Sequence, residues 1–115
     1  MSTPLDGAWE LLGGHCDDHG ATLHYESLGM RSRKLLASGY FTFVSHQGDK
    51  FWSSGSGRYT LDGEQYTETP DMGTFPATAM RPYVFRARVQ GDVWHNERWE
   101  NGVCVEVEHW RRIGS

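Results

Sequence analysis

The sequence predicts an all-β fold, an eight-stranded up-and-down antiparallel β-barrel. Short runs rich in β-branched and aromatic residues recur along the chain, at the spacing of about 8–12 residues that is typical of sandwiches and barrels. Glycine-containing turn dipeptides separate several consecutive runs, and no strong helical period is present. Consecutively connected antiparallel strands close most easily into a barrel, because closure removes the exposed edges of the sheet.

The strand-like segments follow one another through a single domain, residues 1–115, since a chain of this length is too short for two cores. They cover residues 8–12, 31–37, 40–46, 51–61, 64–69, 83–90, 92–99 and 103–112. Asp62-Gly63, Gly91-Asp92 and Asn101-Gly102 each fit the loop of a two-residue hairpin, because these residue types tolerate positive φ angles.

Composition and charge exclude several classes of protein. The formal net charge is −4 and the chain has no basic block, so a nucleic-acid partner is not expected. No apolar run is long enough to span a membrane, and no signal-peptide pattern opens the sequence, so we expect a cytoplasmic protein without a membrane partner. Cys16 and Cys104 are expected to be thiols, with a disulfide as the alternative.

The hairpin turns predict which side chains point into the barrel, because side chains alternate between the two faces of a strand. Around the last two turns, the predicted inner face comprises Tyr83, Phe85, Ala87, Val89, Trp94, Asn96, Arg98, Val105, Val107 and His109. The Asp62-Gly63 turn adds Tyr59, Tyr66 and Glu68. For residues 40–46 the parity stays open: either Phe41 and Phe43 or Tyr40, Thr42 and Val44 face inward.

Several of these inward residues are candidates for chemistry or ligand binding. Glu68 and His109 are candidate acid/base groups, with an ion pair to Arg98 and a core histidine as the respective structural alternatives. Arg98 is the candidate for holding an acidic or carbonyl group. The remaining predicted ligand-binding residues are the hydrogen-bonding side chains Tyr59, Tyr66, Tyr83 and Asn96, and the apolar side chains Phe85 and Trp94.

The stretch GGHCDDHGATLH, residues 13–24, contains donor types that zinc accepts, among them His15, Cys16, His19 and His24. The paired cysteines or His-Glu-x-x-His spacing of common zinc sites are missing. We therefore expect a polar connection between the first two strands with no metal. Metal binding and a contribution of the histidines to the pocket rim are the alternatives.

Two motifs at the ends of the chain carry a resemblance to a known family. Gly7-Ala8-Trp9 precedes the first strand and Arg111-Arg112 ends the last. This pairing resembles the lipocalin and calycin group, and the order of elements is similar to that of small bacterial lipocalin-like domains of unknown function. The resemblance implies a ligand-holding barrel whose end is closed by a stack of Trp9 on Arg111 or Arg112. It also implies that the connection formed by residues 13–24 lies across the open mouth as a mobile polar lid.

The predicted function is the binding of a small, partly apolar or aromatic ligand in the barrel lumen, without a cofactor. One alternative is a cofactor-independent isomerase, cyclase or dehydratase that uses Glu68 or His109. A further alternative is an interaction protein whose lumen is only a core. If Trp52, Trp99 and Trp110 face outward, they would form an apolar surface suited to a homodimer.

Overall fold

Nine strands and one short 3₁₀ turn, Ala77–Ala79, run through residues 2–18 and 20–115, which the computed structural model describes. The strands are β1 (Gly7–Asp18), β2 (Ala21–His24), β3 (Met30–Ala37), β4 (Tyr40–Gln47), β5 (Lys50–Asp62), β6 (Gln65–Gly73), β7 (Tyr83–Gln90), β8 (Val93–Glu100) and β9 (Val103–Gly114). No helix in this part of the chain is long and apolar enough to cross a membrane.

Eight of these strands form a closed antiparallel barrel, which confirms the predicted fold class. The strands from β3 to β9 pair with their sequence neighbours, and β1 pairs with both β3 and β9 to close the sheet. The short β2 pairs with the end of β1 and lies outside the closed ring. This up-and-down connection is consistent with a lipocalin-like fold.

Strand β1 closes the barrel because it pairs with β3 along one edge and with β9 along the other. Its first residues, Gly7–Glu10, pair with β3, whereas Ala8–Cys16 pair with β9 through two register shifts. At Gly14 the backbone has a φ of 140°, and a Cβ there would collide with the carbonyl oxygen of Val107. Glycine therefore permits the close approach of β1 to β9.

The predicted loop at Gly91-Asp92 is confirmed, with Val89 opposite Trp94 and Ala87 opposite Asn96. The loop between β5 and β6 is Gly63-Glu64, one residue later than predicted, so Tyr59 lies opposite Glu68. This change moves the pairing by two residues and keeps the alternation of faces, which leaves Glu68 on the inner face as predicted.

A β-bulge overturns the predicted inner face of β9. Asn101-Gly102 forms the loop as expected, but Trp99 pairs with Cys104 while Arg98 pairs with Glu106, which leaves Val105 as an extra residue. Because one extra residue exchanges the two faces, the lumen receives Glu106, Glu108 and Trp110. The prediction that Val107 and His109 face the lumen was wrong, and so was the outward orientation of Trp110, which is buried.

In β4 the structure shows which of the two alternative sets of side chains faces inward. Phe41 is buried and Phe43 lines the lumen beside Phe75, whereas Tyr40 and Val44 are exposed. The bulge that follows, between Ser45 and His46, lies beyond these positions and does not disturb their alternation.

Aromatic rings fill one end of the barrel. The buried cluster comprises Leu5, Trp9, Leu36, Phe41, Tyr59, Tyr66, Phe85, Ala87, Trp94 and Trp110. The Arg112 guanidinium lies 4.3 Å from the centroid of the Trp9 ring, which confirms the predicted stack. Arg112 also donates hydrogen bonds to the carbonyl oxygens of Asp6 (2.8 Å) and Pro4 (2.7 Å), so the N-terminal segment covers this end.

The segment 13–24 forms regular structure instead of the expected lid. Residues 13–18 continue β1, and Ala21–His24 form β2, with His15 paired to His24 and Cys16 to Leu23. The expectation that this segment is a connection between strands is therefore corrected, because residues 13–18 and 21–24 are themselves paired strands at the edge of the barrel. His19 lies outside the described residues.

Candidate functional site: a cavity in the barrel lumen

A cavity of about 310 Å³ lies in the lumen above the ring-filled end. Most of its lining is apolar and comes from Leu11, Leu23, Met30, Phe41, Phe43, Trp52, Pro70, Phe75, Tyr83, Phe85 and Trp110. The ionisable groups in the lining are Cys16, Tyr25, Lys34, Glu68, Tyr83, Glu106 and Glu108. The volume falls at the lower end of the range of small-molecule sites, about 300–1,000 Å³.

A buried lysine occupies the floor of this cavity. The Nζ of Lys34 lies 2.7 Å from Oε2 of Glu68, and the side chains are only 4% and 13% exposed. The Tyr66 hydroxyl donates a second hydrogen bond to the same oxygen at 2.5 Å. Five aromatic rings lie within 6.0 Å of the ammonium group, the nearest being Trp110 at 4.9 Å. These rings add cation–π stabilisation to the ion pair.

The surrounding carboxylates determine the charge state of this floor. Burial opposes the ammonium form, but Glu68, Glu108 and Glu106 outweigh it and raise the pKa of Lys34. Burial, followed by the charge of Glu68, raises the pKa of Tyr66 well above its usual value. At neutral pH Lys34 is therefore a cation and Tyr66 a hydrogen-bond donor, and Lys34 is a poor nucleophile.

Glu106 forms the centre of a second polar group, on β9. Its Oε1 receives a hydrogen bond from Nε of Arg98 at 3.1 Å, and its Oε2 receives one from the Tyr25 hydroxyl at 3.0 Å. Arg98 also contacts Glu100 at 2.7 Å and lies 5.4 Å from the Tyr83 ring. Burial, followed by the charge of Glu108, raises the pKa of Glu106 from 4.5 to about 7, against the opposing effect of Arg98.

The raised pKa of Glu106 predicts a pH-dependent stability. The folded protein keeps this proton up to about pH 7, whereas the unfolded chain releases it near pH 4.5. Stability should therefore fall as the pH rises through this interval and level off above it, with a loss of at most about 3 kcal/mol. Urea unfolding from about pH 5 to about pH 8 measures the effect, and Glu106→Gln should remove this part of the slope.

Comparing the wild-type protein with Glu106→Gln isolates the contribution of Glu106 to the pH dependence of stability. Other titrating groups, including His109, contribute equally to the slopes of both proteins. Equal slopes in the wild-type protein and Glu106→Gln would contradict the prediction.

The predicted site residues fall into three groups. Glu68, Tyr83 and Phe85 line the cavity, and Tyr66 bonds to Glu68. Tyr59, Trp94 and Asn96 face inward but lie in the packed interior around it. Tyr59 bonds to Asp6 and Thr3 at the closed end, and Asn96 bonds to Glu108.

Arg98 pairs with Glu106 and Glu100, so the expected Arg98–Glu68 pair is wrong.

His109 is the one proposed acid/base group that the structure removes from the lumen. Its Nδ1 lies 3.2 Å from Nδ1 of His95, which points out from β8 and also contacts Glu97. Burial, followed by the charge of His95, lowers the pKa of His109. The prediction that His109 acts as a base in the lumen is therefore wrong, because the bulge at Val105 turns this side chain to the outer face of β9.

Sequence reasoning missed Lys34, Glu106, Glu108 and Tyr25. Lys34 follows the alternation of β3, in which Ser32, Lys34 and Leu36 are buried and Arg31, Arg33 and Leu35 are exposed. Strict alternation from Leu36 would have placed Lys34 inside. No comparable signal marks Glu106 and Glu108, because the bulge before them leaves no pattern in the sequence.

In the described part of the chain, no group of three or more His, Cys, Asp and Glu side chains could hold a metal ion. The rings of His15 and His24 lie 5.8 Å apart on neighbouring strands.

Comparison with protein-family models, curated proteins and solved structures finds no significant match for this chain. The architecture of a closed eight-stranded barrel, compatible with a lipocalin-like fold, thus rests on the geometry described above.

Proposed function

We propose that this protein is a lipocalin-like barrel that binds a small, partly apolar molecule in its lumen. The observation that carries the proposal is the cavity of about 310 Å³, where apolar rings surround a small set of fixed polar groups. Binding sites for small molecules combine these two features, since the apolar lining supplies affinity and the polar groups fix orientation. The Trp9–Arg112 stack supports the assignment to the calycin group.

A cofactor-independent isomerase, cyclase or dehydratase is the second candidate, with Glu106 in the place proposed for His109. Glu106 lines the cavity, and its pKa of about 7 allows it to exchange a proton at neutral pH. Glu68, which also lines the cavity and accepts hydrogen bonds from Lys34 and Tyr66, is the other acid/base candidate.

Filling the cavity tests the binding proposal. The neutral apolar dye N-phenyl-1-naphthylamine should bind the wild-type protein and quench its tryptophan fluorescence, because Trp52 and Trp110 line the cavity. Ser53→Phe places a ring inside and should weaken binding by about tenfold or more, whereas the exposed Thr60→Phe on the same strand should not. Equal binding by both variants, or no binding at all, would indicate a packed core.

Native mass spectrometry of the protein purified from its own host would identify the bound molecule. Incubating that molecule with the protein and comparing its NMR spectrum before and after separates the two candidates. A carrier returns its ligand unchanged, whereas an enzyme changes the spectrum even when, as for an isomerase, the product has the same mass.

The predicted homodimer and cytoplasmic location remain proposals. Trp52 and Trp99, with 41% and 52% of their surface exposed, are the indoles available for a dimer contact. Cys16 and Cys104 are not joined in a disulfide.

A further inference from the structure

We propose that the lumen recognises a small primary amine on an apolar body, with the carboxylates of Glu108 and Glu68 receiving the ammonium group. This inference rests on the proposed binding function and specifies its ligand class.

The first argument is the balance of charge around the cavity. Its lining contains one cationic side chain, Lys34, and three glutamates. Lys34 forms its ion pair with Glu68, and Glu106 forms its ion pair with Arg98. In the described chain, Glu108 forms no direct ion pair and shares the more distant charge of Lys34 with Glu106. The carboxylates of the lining therefore outnumber its cation, whereas buried charges are normally paired.

The second argument is that each of the two carboxylates has one oxygen available as an acceptor. Both hydrogen bonds that Glu108 receives, from Asn96 at 3.1 Å and Trp110 at 3.2 Å, fall on Oε1. Glu68 likewise receives Lys34 and Tyr66 on Oε2 alone. One oxygen of each carboxylate thus accepts no hydrogen bond from the described residues. A primary ammonium group has three donors to offer them.

The position of Glu108 is fixed before a ligand arrives. Asn96 is fully buried and holds the carboxylate through Nδ2, while its own Oδ1 has no hydrogen-bond partner among the described residues. A preorganised acceptor costs less entropy on binding than a mobile one.

The aromatic lining suits the same ligand. The faces of aromatic rings attract cations, and Trp110 and Phe41 line the cavity while already surrounding the Lys34 ammonium group. Phe43, Phe75 and Phe85 extend the apolar wall for the body of the ligand. An anionic head group would instead meet three carboxylates, and the single cation beside it is already bonded to Glu68.

Three matched probes of similar size test this assignment by isothermal titration calorimetry on the folded protein near pH 7.5, where a primary amine is protonated, as lysine is. They are phenethylamine, the neutral 2-phenylethanol and the anionic phenylacetate. We expect phenethylamine to bind about tenfold or more tightly than either of the others, because charge-assisted hydrogen bonds are stronger than neutral ones.

Glu108→Gln keeps the shape of the side chain and should reduce the affinity for phenethylamine about tenfold while leaving 2-phenylethanol unchanged. Glu64→Gln, at an exposed glutamate on the outer surface, is the control with the same change in net charge, and it should have no effect. Glu68→Gln provides a second variant, with an unfolding curve recorded for each protein.

Tighter binding of 2-phenylethanol or phenylacetate than of phenethylamine, or an equal loss in Glu64→Gln, would overturn the inference. Failure of all three probes would also overturn it. In that case the cavity-filling dye experiment separates the two failures: dye binding that Ser53→Phe abolishes would preserve the proposed function, and absence of dye binding would remove both.

Discussion

Replacing Trp9 by alanine is expected to lower the free energy of unfolding by about 3–5 kcal/mol, the range for removing a large aromatic side chain from a core. Trp9 is fully buried. Its ring lies 5.3 Å from that of Trp94, edge to face, and 4.3 Å from the Arg112 guanidinium. Its Nε1 donates to the carbonyl oxygen of Leu5 at 2.8 Å. The substitution therefore removes packing, a hydrogen bond and a cation–π contact together.

Urea unfolding measures this loss, and Trp99→Ala is the matched control. Trp99 is half exposed at the far end of β8, so its truncation should change stability by less than about 1 kcal/mol. If Trp9→Ala were as stable as the wild-type protein, the stack would have no part in closing the barrel. That result would also remove the main support for the proposed relationship to the calycin group.

Replacing Lys34 by methionine is expected to destabilise the protein by about 3–5 kcal/mol at about pH 8, the range for breaking a buried ion pair. Methionine preserves much of the volume of the lysine stem, so the loss comes mainly from charge. Without the ammonium group, Glu68 keeps its negative charge in a site where only 13% of its side chain is exposed. Glu106 and Glu108 lose the cation that they share.

Two further measurements identify the cause. Glu106, with a pKa of about 7, is protonated at about pH 5, which removes one of the negative charges that Lys34 balances. The deficit of Lys34→Met should therefore be smaller at about pH 5 than at about pH 8. Adding Glu68→Gln should restore part of the stability, which a double-mutant cycle quantifies. Arg33→Met, at the exposed neighbouring position, serves as the control. A deficit that is the same at both pH values and in the double variant would show that packing, not charge, is responsible.

The amino-acid sequence determined the architecture through its turns and its end motifs. Gly91-Asp92 set the register of β7 against β8, and with it the inward orientation of Phe85, Trp94 and Asn96. A loop one residue later than expected between β5 and β6 still left Glu68 inside, because the pairing moved by an even number of residues. Such local signals suffice for the fold, since each hairpin depends only on its own few residues.

The tertiary structure decided the chemistry of the lumen. Glu106 and Glu108 enter it because Val105 bulges in β9, beside Glu106, the residue at which the pairing of β9 with β1 ends. The charge state of Lys34 depends on Glu68, thirty-four residues away in sequence, and on burial by rings from several strands. The sequence pattern of a strand indicates which side chains share a face. The partners of a buried charge depend instead on which strands lie next to each other once the barrel has closed.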